Sequence, residues 1–294
     1  MVRTQSLQHV MDAKLASISA IRDDVQDIFA RYGESTSEVT PTLKRLFHYL
    51  STRSQAVSYL LSAGYAWDSE IILRSFYDTA AKILLISFTP KDEQSALIGE
   101  YWNDLGAIYN RKRARRAELA SRFPEKDSDL LTDSIFQALS DRALYDMADG
   151  VSKAKRKALE QKWSFDGIIK QLQTLGEKGK PLIGADVLLH MYGMASHLIH
   201  ADAAAMDLID DRKLREPNER ALLEASHASR IMSDQVCLWW FCAYAVCRHY
   251  NGRFKDEKTF FAIFSKFDEL SKPIQKAFHE SQREFYSNLD LRKS

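Results

Sequence analysis

Residue types that can do chemistry are concentrated in a few stretches of this chain. The run DVLLHMYGMASHLIHADAAAMDLI, from Asp186 onward, holds His190, His197 and His200. At 3.6 residues per turn their imidazoles share about 80° of a helix circumference. Tyr192, Ser196 and His200 follow at four-residue steps along the same element. Imidazole exchanges protons near neutral pH, so a seam of this kind suits acid–base chemistry as well as plain hydrogen bonding. A second place is WDSEIILRSFYDTAAKILLISF, where Glu70, Arg74 and Asp78 recur every four residues in an otherwise apolar stretch. That spacing stacks anion, cation and anion on one helix face. A buried charge left without its partner costs roughly 3 to 5 kcal/mol, so Arg74 must be answered by these neighbours or by a phosphate or carboxylate ligand.

Two runs are strongly basic: Arg111, Lys112, Arg113, Arg115 and Arg116, then Lys153, Lys155, Arg156 and Lys157. Tyr101, Trp102 and Tyr109 precede the first. Aromatic rings beside arginines suit single-stranded nucleic acid, through stacking and charge, and the competing explanation is a solvated helix face. With 41 Lys plus Arg against 40 Asp plus Glu, the chain is nearly neutral, which excludes a globally basic binder and leaves only local patches. Glu224 and His227 have the Glu-x-x-His spacing of di-metal helical bundles, but a second such pair is missing from any plausible core helix. No metal and no cofactor is expected. Neither a Gly-x-Ser-x-Gly elbow nor a Gly-rich phosphate or dinucleotide loop occurs, which disfavours those enzyme classes.

The elements that must position these groups are helices. Only 11 Gly and 6 Pro punctuate 294 residues, and apolar positions recur at three- and four-residue steps, with no convincing period-two stretch. The pattern predicts helices over 4–32, from the Thr40–Pro41 cap to about 62, over 68–88, and from Thr89–Pro90 to about 122. Others are expected from Asp127 or Ser128 to about 148, over 152–163, 164–175 and 186–211, from Pro217 to about 250, and as a C-terminal pair divided near Ser271 to Pro273. The fold class is all-α, an antiparallel bundle in one domain spanning 1–294. Its core is expected in 40–90 and 185–250, with 91–180 as a helical insertion and 251–294 as the terminal pair. Cys237, Cys242 and Cys247 diverge around a helix and suit a reducing, cytoplasmic setting. The apolar run from Val236 to Val246 is too short to span a bilayer, so no membrane is expected, and the N-terminus lacks a signal-peptide core.

The segments LLSAGYAWDSEIILRSFYDTAAKILL (Leu60 to Leu85) and YGMASHLIHAD (Tyr192 to Asp202) resemble a prokaryotic domain family of unknown function grouped with HEPN-like helical proteins. The resemblance spans roughly residues 40 to 250. It implies an HEPN-like bundle in which Arg74 and Asp78 match an arginine followed by an acid, usually glutamate, and Ser196 and His200 match a serine followed by a histidine. The implied context is bacterial toxin–antitoxin or antiphage defence. HEPN ribonucleases also carry arginine followed by histidine after four to six residues, a pattern met at Arg3–His9 and at Arg220–His227, the latter with Glu224 on the same face. The expectation is a metal-independent ribonuclease or RNA-binding effector. Its site would use Arg74 to hold phosphate, Asp78 to orient it, and Ser196, His197 and His200 for proton transfer; Arg220, Glu224 and His227 form the alternative set. The competing class is a non-catalytic interaction protein, binding a protein partner or its own copy, whose polar seam only fixes helix register.

Overall fold

The computed structural model describes residues 2–33, 38–120, 138–139, 152–175 and 185–290, and those residues form an all-α structure. The element expected from Asp127 or Ser128 to about 148 lies almost wholly outside the described residues, as do residues 176–184. Helix α1 (Val2–Tyr32) buries Val10, Ile21, Val25 and Ile28, whose spacing is the amphipathic repeat read from the sequence. Helix α2 (Val39–Ser62) ends where Gly64 takes φ +84°. There Tyr65 N–H bonds the Leu60 carbonyl and Gly64 N–H that of Leu61, the paired closure that a left-handed residue makes possible. Helix α3 (Ala66–Phe88) is buried on most sides, through Leu73, Phe76, Tyr77, Ala80, Ile83 and Leu84.

Thr89 is extended before Pro90, and a long rod follows: α4 (Lys91–Gly99), a π-turn (Glu100–Asp104) and α5 (Leu105–Ala120). Helices α6 (Lys153–Lys162) and α7 (Phe165–Thr174) start on Ser152 and Ser164, whose hydroxyls accept from Lys155 and Gly167 N–H. Gly167 is obligatory for their tight junction, since a Cβ there would stand 2.0 Å from the Gln161 carbonyl oxygen. Helices α8 (Ala185–His200), α9 (Ala203–Leu214), α10 (Pro217–His249) and α11 (Glu257–Asp290) complete the fold.

The core is one hydrophobic cluster running from Val10 of α1 to Ile274 of α11. It joins α3 to α2 and α10, and α1 to α10 and α11. Helix α1 therefore supplies core residues that the expected core, 40–90 with 185–250, leaves out. One of them is polar: Lys14 is fully buried and donates to Ser58 Oγ of α2.

Two expected boundaries are corrected. The element expected over 186–211 is two helices, because Ala201 takes φ +46° and Asp202 caps α9, its Oδ1 accepting from Ala205 N–H at 3.1 Å. Neither Gly nor Pro marks the spot, so propensity alone runs through it. The C-terminal pair divided near Ser271 to Pro273 is one helix with Pro273 inside. Phe260 and Phe267 before the proline and Ile274 after it are buried, and that shared apolar face keeps the helix continuous despite the lost hydrogen bond.

Candidate functional site

Three groups of side chains come out of this packing. The first is a buried clasp between α3 and α10. Glu70, 1% exposed, accepts on Oε2 from Arg230 and from His227 Nε2, the latter at 3.0 Å. On the other side of the imidazole, Arg212 Nη2 donates to Nδ1 at 3.0 Å. An arginine has only donors, so Nδ1 must carry a lone pair and Nε2 the proton that Glu70 receives. The Arg212 guanidinium lies 3.9 Å over Trp67, and Trp67 meets His227 edge to face at 4.6 Å. Arg230 continues to Asp234 Oδ2 at 2.7 Å, which also accepts from Tyr77 OH at 2.6 Å.

Electrostatics follow from this packing. Burial pulls the Glu70 carboxyl upward, but the His227 hydrogen bond and the Arg230 charge outweigh it and hold it below the usual range. Burial depresses His227, with Arg230 and Arg212 pushing the same way against Glu70. Asp234 is raised, by burial first, despite Arg230. Arg212 is lowered to about 10 by burial.

The second group lies at the C-terminal end of α8. His197 Nδ1 and Asp202 Oδ2 are 2.6 Å apart, so the carboxylate fixes the ring and Nε2 is left as an acceptor on a half-exposed side chain. That hydrogen bond, with the one from Ala205 N–H, lowers Asp202. His200 is exposed and Ser196 half-buried. One turn earlier Tyr192 is sandwiched, with Phe165 stacked at 3.9 Å and the Arg74 guanidinium at 4.7 Å.

The third group is a basic ridge. Glu100 accepts from Trp163 Nε1 at 2.6 Å, Tyr101 packs on Trp163, and further along the rod Lys112 pairs with Glu160. The Lys112–Glu160 ion pair therefore sets the basic run 111–116 of α5 against α6, whose own basic run ends at Lys157, three residues before Glu160. Lys112, Arg113, Arg115, Arg116, Lys153, Lys155 and Lys157 are exposed, and Arg111 and Arg156 half-buried. Within 111–120 and 153–160 the carboxylates are Glu118 and Glu160.

The expected Glu70–Arg74–Asp78 ladder does not form. Glu70 turns to α10, Asp78 pairs with Lys82, and Arg74 covers Tyr192. Glu70 and Arg74 take partners that other helices deliver, while Asp78 takes the lysine one turn further along its own helix. The alternative set also separates, because Arg220 and Glu224 are exposed while His227 is buried and takes Glu70 and Arg212 instead. Of His190 the side chain lies outside the described part. Sequence reasoning missed Arg212, Arg230, Asp234, Tyr77 and Trp67. The signal for two of them was present, since His227, Arg230 and Asp234 recur at three and four residues on an apolar helix. Among the described residues no three His, Cys, Asp or Glu side chains are grouped to hold a metal ion, and no helix is long and apolar enough to cross a membrane.

Fold and sites together define an all-helical protein with a buried ion-pair clasp and a basic outer ridge. The chain belongs to a family of unknown function, DUF5677, which matches residues 42–216. That span holds α2 to α9 with the ridge, Arg74, Ser196, His197 and Asp202; of the clasp it takes Glu70, Tyr77 and Arg212 and leaves His227, Arg230 and Asp234 on α10. Comparison with curated proteins and with solved structures gives no match.

Proposed function

We propose that this protein is a HEPN-like helical effector that binds RNA, with the ridge of α5 and α6 as its phosphate-binding face. The observation that carries the reading is the Lys112–Glu160 ion pair, which sets α5 against α6 and so brings two exposed basic runs some forty residues apart in sequence to one helix contact. Lysines and arginines that neutralise backbone phosphates release counterions, so affinity must fall steeply with salt. Wild-type protein is titrated with a single-stranded oligoribonucleotide at several salt concentrations. Arg113→Glu and Arg116→Glu are each expected to weaken binding and to flatten the log–log salt slope by about one unit. Salt-independent binding, or unchanged slopes in both variants, removes the reading.

The catalytic part of the proposal uses α8. His197 Nε2 takes the proton of a ribose 2′-hydroxyl as that oxygen attacks phosphorus, and the departing 5′-oxygen takes a proton from the exposed His200. Asp202 orients the base and Arg74, at the α3–α8 contact, holds the phosphate. No metal enters this step. A role in bacterial antiphage or toxin–antitoxin defence fits a metal-independent ribonuclease, and buried free thiols fit a reducing cytoplasm.

A second reading is favoured by the clasp. Glu70 Oε2, His227, Arg230, Asp234 and Tyr77 bond one another across α3 and α10, which is what a non-catalytic scaffold for a protein partner or a second copy needs to fix helix register. It prevails if RNA is neither bound nor cut.

A further inference from the structure

The first turns of the α4–α5 rod wall a cleft of about 840 Å³ that none of the groups above lines, between the start of α2 and the end of α10. Its shape depends on the π-turn. Leu105 N–H bonds the Glu100 carbonyl five residues back, and this wide turn brings Trp102 and Asn103 to the wall. Single π-turns inside helices occur mostly at functional sites, because they re-aim side chains at a cost in helix geometry.

Trp102 is 41% exposed yet held in place. Its indole N–H donates to Thr42 Oγ1 at 2.8 Å, and the exposed Arg45 guanidinium lies 5.2 Å over its ring. A fixed indole paired with a guanidinium plane is a ready surface for a flat aromatic base. Lys91 stands at the same cleft, where burial first and the Lys91 charge second disfavour protonation of His249. Gln94 holds that imidazole at 3.0 Å while anchored to the Ile86 and Thr89 carbonyls, so the floor is rigid. Glu38 at the rim offers an acceptor to an exocyclic amine and opposes a bare phosphate ion.

The cleft also opens onto the ridge. Trp102, Tyr109, Arg113 and Arg116 follow at seven-, four- and three-residue steps along one side of the rod, all exposed. At about 1.5 Å per residue, Arg113 and Arg116 lie some 16 to 21 Å beyond Trp102.

We infer that this cleft is a nucleotide site, which takes one base of a single-stranded RNA against Trp102 and Arg45 with the adjoining phosphate at Lys91, and passes the strand over Tyr109 to the ridge. The continuation over the ridge rests on the RNA-binding reading; the cleft does not. The test is calorimetric titration of the full chain with the four free nucleoside 5′-monophosphates, with inorganic phosphate, and with short single- and double-stranded oligoribonucleotides. At least one mononucleotide and the single-stranded oligomer are expected to bind, and inorganic phosphate to fail to compete. Trp102→Ala weakens both interactions about tenfold or more, Trp102→Phe restores most of the loss, and double-stranded RNA is unaffected by either. Arg45→Glu, at an exposed position that leaves the fold intact by circular dichroism, gives the same loss. Single-stranded RNA that binds with a salt slope set by Arg113 and Arg116, but is indifferent to Trp102 and Arg45, overturns the cleft and leaves the ridge standing. Mononucleotide binding without RNA binding does the reverse, and no binding of either kind overturns both.

Discussion

His227 Nε2 and Glu70 Oε2 stand 3.0 Å apart across 157 residues of sequence, and this contact ties α10 to the middle of the fold. Glu70 also receives Arg230, so one buried carboxylate answers two donors from α10 while Arg212 closes the imidazole from α9. Glu70→Ala strips the buried His227 N–H of its acceptor and takes one of two carboxylates from Arg230, which keeps Asp234. Urea unfolding should show a loss of about 3 to 5 kcal/mol, with Glu70→Gln intermediate. A loss under about 1 kcal/mol for Glu70→Ala would mean the clasp is not holding α3 to α10.

The same contact makes stability depend on pH with a definite sign. His227 is depressed below its usual value, so the unfolded chain binds a proton that the folded chain refuses, its Nδ1 being already occupied by the Arg212 donor. This contribution is complete above about pH 6.5 and is lost as pH falls toward the folded value, at no more than about 1.4 kcal/mol per pH unit. Glu70, also depressed, adds a further loss below its ordinary value of 4.5, while Asp234, raised above 3.8, acts in the opposite sense at the acid end. Chemical denaturation at pH 7.5 and 5.5 should find wild type weaker at the lower pH. His227→Gln should be less stable overall and show a smaller drop between the two, since His249, also lowered by burial, still contributes.

Lys14 offers a substitution expected to stabilise. Burial lowers its ammonium to about 7, so the folded chain sheds a proton that the unfolded chain keeps up to about 10.5. Its cost is absent above that upper value, grows as pH falls, and is complete below about 7. Lys14→Met keeps the volume and removes the charge. Thermal unfolding at pH 6.5 should show a gain on the order of 1 to 4 kcal/mol that vanishes near pH 11. A lower melting temperature at pH 6.5 would mean that the Ser58 hydrogen bond outweighs desolvation.

The α8 site separates catalysis from capping. His197→Ala should lower RNA cleavage by about 10² to 10⁴ in kcat with little change in KM. Asp202→Asn keeps the cap, because the side-chain oxygen still accepts from Ala205 N–H, but removes the carboxylate that fixes the imidazole. Its cleavage rate should therefore fall while its melting temperature holds. Asp202→Ala should lose about 1 kcal/mol of stability as well. Full cleavage by all three variants would place the reaction elsewhere.

Helix class and most helix spans were set by local information: the three- and four-residue apolar repeat, the serines before α6 and α7, Pro217 at the start of α10, and the scarcity of glycine and proline. These act within one or two turns, so a single stretch of residues carries them. The break at Ala201 is local too, made by a capping aspartate that the apolar repeat runs past, whereas the continuity through Pro273 was decided by an apolar face packed on both sides of the proline. The polar groups depended on packing still more. Arg74 and His227 each had a partner of suitable charge one turn away and took another side chain instead, because a buried group settles with whichever donor or ring the packed helices bring to it. The basic runs were visible as two separate stretches; only the Lys112–Glu160 contact brings their helices together, and only the π-turn turns Trp102 into a cleft wall. Spacing along a chain fixes which residues can share a helix face. Which faces meet is a property of the packed core.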